Sequence, residues 1–135
     1  MIHINTEGGS SAADHIEKVM KEKYGLELVS RDAMTTEDTD FTAQVLKMKD
    51  GDAQAVIFWG LNQSQGNVCM KNIEQSWGKV PEEILFAGGT SMAQNQMTET
   101  WDAADLEGVV FPVGYIPDES NPAIVRFIED FKEAD

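Results

Sequence analysis

Five consecutive apolar residues, Ala55-Val56-Ile57-Phe58-Trp59, stand between two segments of helical periodicity, and no other stretch restricts the fold as strongly. A strand with one wet face alternates polar and apolar side chains. An unbroken apolar run this short reads instead as a strand covered on both faces, which calls for a parallel sheet between helices. Before it, Phe41, Val45 and Met48 form one helical face ending at Asp50-Gly51; after it, a helical pattern runs from Val68 to Trp77 and is closed by Gly78.

The same alternation extends in both directions. Met1 to Asn5 reads as a strand, Gly8-Gly9-Ser10-Ser11 as a glycine turn, and Ala12, Ile16, Val19 and Met20 as a helix stopped by Tyr24-Gly25. Leu26 to Val29 is a candidate second strand. Downstream come a strand at Ile84 to Ala87, a polar segment through Thr100, and an apolar run at Val109 to Val113. A last helix opens at Asn121-Pro122 and carries Ile124, Phe127, Ile128 and Phe131 on one face. Strands alternating with helices imply right-handed crossovers and an α/β, doubly wound, mainly parallel sheet flanked by helices. With 135 residues and 41% hydrophobic content, the chain has material for one domain.

Composition excludes several classes of partner. Twenty-four acidic against ten basic residues give a formal charge of -14, which repels nucleic-acid phosphates and anionic membranes. One cysteine, Cys69, allows no internal disulfide and no cysteine-built zinc site, and its place in a helical pattern marks it as a buried hydrophobe. No apolar run approaches the roughly 20 residues that cross a bilayer. The opening MIHINTEGG lacks the basic region and apolar core of a signal peptide, so a secreted parent would have lost it.

Thr35 to Asp40 crowds Glu37, Asp38 and Asp40 beside threonines, but it has neither the glycine nor the glutamate of a calcium loop. Helix capping explains it: a helix starting at Asp40 would place these carboxylates at its positive end. His3 and His15 lack a nucleophile elbow, and EGGSSAAD matches neither a dinucleotide nor a P-loop pattern. A phosphoacceptor domain would need an aspartate where Phe58-Trp59-Gly60 stands. Neither a catalytic residue, a metal nor a cofactor is called for. What remains is a set of small and polar residues at the carboxyl ends of successive strands, where open α/β sheets bind ligands: Asn5 to Ser11, Gly60 to Gln63, and Gly88 to Ser91.

The helix TDFTAQVLKMK, the strand AQAVIFWG behind it, the short strand ILFAGGTS, and EGVV leading through FPVGYIPDESNPAIVRFIEDFKEAD together resemble the second lobe of type I periplasmic binding proteins. These are the solute receptors of branched-chain amino acid ABC transporters. The resemblance spans nearly all of this chain and well under half of a typical member. It implies a non-catalytic, extracytoplasmic lobe that closes with a first lobe over a small ligand and docks, when loaded, on an ABC permease. It divides the chain into a ligand-binding lobe at 1–118, with a hinge crossing at Val113 and Tyr115, and a helix at 119–135 whose natural partner is the missing first lobe. Without that lobe, helix 121–133 would fold back or form a homodimer.

The ligand contacts implied by the resemblance fall at Gly9, Ser10, Asn62, Gln63, Thr90 and Ser91. Thr90 takes the place where amino-acid receptors of this type set a glutamate against the ligand ammonium. An ammonium with no paired charge is costly to bury, so the implied ligand is a small organic acid, an amide or an aromatic acid, unless the other lobe supplies the carboxylate. The competing classes are a stand-alone flavodoxin-like enzyme, for which no strand-end nucleophile is visible, and the ligand-sensing lobe of a signalling or transcriptional regulator.

Overall fold

A computed structural model describes the chain apart from residues 61, 79–83, 93–99, 103, 114–117, 119 and 134–135 and the side chains of Gln63, Ser91 and Glu133. In chain order the elements are β1 (Ile2–Ile4), α1 (Glu7–Tyr24), β2 (Asp32–Met34), α2 (Thr42–Asp50), β3 (Ala55–Trp59), α3 (Gln63–Trp77), β4 (Leu85–Gly88), a 3-10 turn (Thr90–Met92), β5 (Val109–Val110) and α4 (Pro122–Glu133). The strands form one five-stranded sheet in the order β2-β1-β3-β4-β5, and every pairing is parallel. The doubly wound α/β expectation holds.

Residue alternation sorts the sheet into two faces. The register sets Val56 beside Phe86 and Phe86 beside Val109 on one face, and Ile57, Ala87 and Val110 on the other. The first face is closed by α2 and α3, with Phe41, Val45, Met48, Cys69, Met70 and Ile73 in the core. Phe58 meets Phe41 edge-on at 5.5 Å and stacks on Phe86 at 6.1 Å, arrangements that add to area burial. The second face is more open than the unbroken run Ala55–Trp59 suggests. Ile57 is half-buried, while Leu85 and Val110 are 48% and 49% exposed.

Several element boundaries depart from expectation, each for a local reason; α3, for one, starts at Gln63 rather than Val68, capped by Asn62. Gly8 to Ser11 is not a turn but the first turns of α1, because Thr6 caps the helix by accepting from the Gly9 N–H at 3.0 Å. Leu26 to Val29 is not the second strand. In the parallel register Ile2 lies opposite Asp32, so the ladder with β1 starts at Asp32, beyond residues 26–29. Helix α2 begins at Thr42 rather than Asp40, although Asp40 Oδ1 still accepts from the Thr42 N–H at 3.0 Å and its hydroxyl at 2.6 Å. These bonds hold the exposed Asp40 carboxyl below its usual range. Asp38 instead folds back on its own loop, accepting from the Thr35 N–H at 2.7 Å. The apolar run 109–113 is a strand only over Val109–Val110, and Val113 is exposed beyond it.

Other termini match expectation. Gly25 and Gly78 close α1 and α3 at φ 66° and 73°, a region glycine enters without strain. Asn121 opens α4 by accepting from the Ala123 N–H at 3.0 Å. His3 is buried and structural: Arg31 Nε donates to its Nε2 at 3.4 Å, which leaves Nδ1 to donate to Ile4 O at 3.1 Å. His15 is exposed.

Burial pushes the Cys69 thiol up to about 12. The folded state therefore disfavours the thiolate; Cys69 subtracts nothing from stability below pH 9 and progressively more as pH rises from 9 toward 12. A thiol-specific disulfide reagent at pH 8 will label the unfolded chain and spare the native one. Prompt labelling of native protein would contradict this burial.

Candidate functional site

Because the strands are parallel, all their carboxyl ends lie on one edge. From β1 the chain moves outward to β2; from β3 it moves the opposite way to β4. The order therefore reverses between β1 and β3, and the connections leaving them diverge to opposite faces of the sheet. The crevice between diverging connections is where open α/β sheets hold ligands.

One wall is the N-terminus of α1. Besides the Thr6 cap, the Ser10 N–H donates to Thr6 O at 2.8 Å, and Ser10 O accepts from Arg31 at 3.3 Å. Gly9 is buried, and a Cβ built on it would sit 2.2 Å from Ile4 O, a backbone atom that cannot move aside. Gly9 thus lets α1 start directly over the end of β1. Its N–H is already given to Thr6, so its part is close packing.

The other wall is the N-terminus of α3. Asn62 Oδ1 accepts from the Gln65 N–H at 2.9 Å, and Asn62 Nδ2 donates to Gln65 Oε1 at 3.4 Å. Gln65, absent from the sequence reading, is only 5% exposed. Its Nε2 donates to Thr35 O at 2.8 Å and Asp38 O at 3.0 Å. The spacing Asn-x-x-Gln is a relative of the capping box and was the available signal. Gln63 opens α3, with its side chain outside the described residues.

Beyond β4, the 3-10 turn brings Thr90 to the same edge with its side chain exposed; Ser91 is placed there by its backbone alone. Met92 is buried and fixes this turn, its N–H donating to Gly89 O at 3.0 Å. The fold thus gathers Gly9, Ser10, Asn62, Gln63, Thr90 and Ser91 along one edge. Tyr115 lies outside the described residues, and Val113 follows β5. Among the described residues, no group of three His, Cys, Asp or Glu side chains could hold a metal ion, and no helix is long and apolar enough to cross a membrane.

Residues 1–134 match the family described as periplasmic binding protein. The chain belongs to that family. Its fold is shared with a Rhodospirillum rubrum protein described as a branched-chain amino acid ABC transporter, at a TM-score of 0.76 and 16% identity over 98% of this chain and 36% of that one. A second similar structure, from the Pseudomonas fluorescens group and described as an ABC transporter permease, gives a TM-score of 0.70 at 14% identity, over 98% of this chain and 30% of its own. The chain thus spans about a third of the length of these two structures. No curated protein matches the sequence.

The two walls make a paired prediction about glycines of α1. Gly9→Ala will destabilise the fold by about 1–3 kcal/mol through overpacking against Ile4. Gly8→Ala, with nothing within 4 Å of its Cβ, will stabilise by about 0.4–1 kcal/mol. Urea unfolding of both variants checks this; equal effects would contradict the close approach of α1 to β1.

Proposed function

We propose that residues 1–118 are the ligand-binding lobe of a non-catalytic solute receptor that serves an ABC transporter outside the cytoplasm. The single observation that carries this reading is the crevice at the β1/β3 reversal, flanked by the N-termini of α1 and α3. Each helix start carries the partial positive charge of the helix dipole. The first turn of α1 contains Glu7, whereas that of α3 contains no acidic residue. The first turn of α3, free of acidic side chains in a chain of net charge -14, thus favours an anion.

A ligand carboxylate at that end, with Thr90 and Ser91 along the neighbouring loop, fits a small polar organic acid. An amino acid fits if a companion lobe provides the partner for its ammonium. Residues 119–135, containing α4, pack on that companion lobe. The motivation is the apolar stripe of α4, where Phe127 and Phe131 are 69% and 63% exposed and stack on each other at 6.3 Å. The loaded receptor then docks on a permease, and nucleic acid has no role.

A two-lobe receptor of about micromolar affinity holds its ligand by near 8 kcal/mol; one lobe supplying half of that binds at roughly millimolar. Titration at millimolar concentration is therefore the appropriate test, read by amide NMR. With isovalerate or benzoate, shifts will appear at Ser10, Asn62 and Thr90. Leucine will give weaker ones for want of a partner for its ammonium. Stronger shifts with leucine would overturn the preference for acids, and silence with every probe would contradict ligand binding by this lobe alone.

A further inference from the structure

Gln65 has a role that a helix cap does not require. Both of its Nε2 protons leave α3 and reach carbonyls of the β2–α2 connection, Thr35 O at 2.8 Å and Asp38 O at 3.0 Å. Its Oε1 is taken by Asn62. A carboxamide only 5% exposed must have its donors and acceptor paired, and here those pairings tie α3 to a loop distant in sequence. The Thr35–Asp38 segment comes from the edge strand β2 and must cross the end of β1 to reach α2, which lies against α3. It therefore passes beside the crevice between β1 and β3.

We infer that the Asn62–Gln65 pair is a clasp which makes the Thr35–Asp38 segment part of the ligand-facing wall, with Gln65 as a positioning residue and Asn62 acting through it. This rests on the solute-binding reading for its function, although the clasp stands on its own geometry. The clasp assigns Asn62 a different task from direct ligand contact: its Oδ1 and Nδ2 both engage Gln65. It also adds Thr36, exposed at the crown of the segment, to the surface a ligand meets, with the neighbouring Glu37 carboxylate accepting from the Thr36 hydroxyl at 3.3 Å.

The experiment has two arms on the full chain. In the first, without ligand, amide hydrogen exchange is compared for wild type, Gln65→Met and Gln65→Glu. The methionine keeps length and apolar packing while removing both donors; the glutamate turns acceptors toward the two carbonyls. The Thr35 N–H donates to Asp38 Oδ2 within the clasped segment, so loosening the segment in Gln65→Met will quicken its exchange about tenfold, and further in Gln65→Glu, with Val45 and Ile73 unchanged. Equal exchange in all three proteins, or acceleration spread evenly over α2 and α3, would overturn the clasp. In the second arm, wild type is titrated with isovalerate, benzoate and leucine. Shifts at Thr36 and Glu37 accompanying those at Thr6 to Ser10 support the wall. Shifts at Thr6 to Ser10 with Thr36 and Glu37 silent would overturn it. A clasp upheld by the first arm with no shift anywhere in the second would instead count against the solute-binding reading.

Discussion

Met92 lies in a slot that exists only because two residues have no side chain. A Cβ on Gly66 would come within 2.5 Å of its Cε, and a Cβ on Gly88 within 2.3 Å of its Sδ. The thioether therefore locks the turn after β4 against both the strand it leaves and the second turn of α3. Since Gln65 and Asn62 occupy the preceding turn, the start of α3 is where the connections following β2, β3 and β4 are joined. Interiors packed this closely admit few alternative arrangements, so these connections form one preassembled edge.

A preassembled edge suits the proposed receptor role, in which the surface has little chemistry to offer. It presents helix starts, exposed threonine side chains and backbone groups, and holds them where the parallel topology places all strand ends together. Affinity then depends on how little is reorganised on binding. The phenylalanine cluster beneath supports this from below, with Phe58 between Phe41 and Phe86 directly under the reversal point. Gly60 follows the strand there, and a Cβ on it would meet Phe58 and Met34 at 2.6 and 2.9 Å. Core and edge are thus one packing problem.

How much of this was legible in the sequence depended on whether the signal was local. Ala55–Trp59 announced the central strand, and Gly25 and Gly78 announced helix ends, because apolar runs and left-handed caps act within a few residues. Gly8-Gly9 misled because Gly9 serves the approach of α1 to Ile4, a contact between elements, and not a turn. Leu26–Val29 had strand composition, but pairing is decided by register with β1, which places Asp32 opposite Ile2. The site edge followed from topology, whereas the particular work of Asn62 did not. Its partner Gln65 could have been flagged by spacing, but the carbonyls of Thr35 and Asp38 that it holds are distant in sequence. Nothing local links Gly66 to Met92.

The direct test of the central claim is amide exchange in Gly66→Ala. Alanine favours a helix interior by about 1 kcal/mol over glycine, so if the slot for Met92 were unimportant the variant would simply be more stable. The account predicts that the Met92 amide exchanges faster while Phe86 in β4 keeps its protection. A more stable protein with Met92 unchanged would contradict the view that the start of α3 holds the carboxyl-end edge of the sheet together.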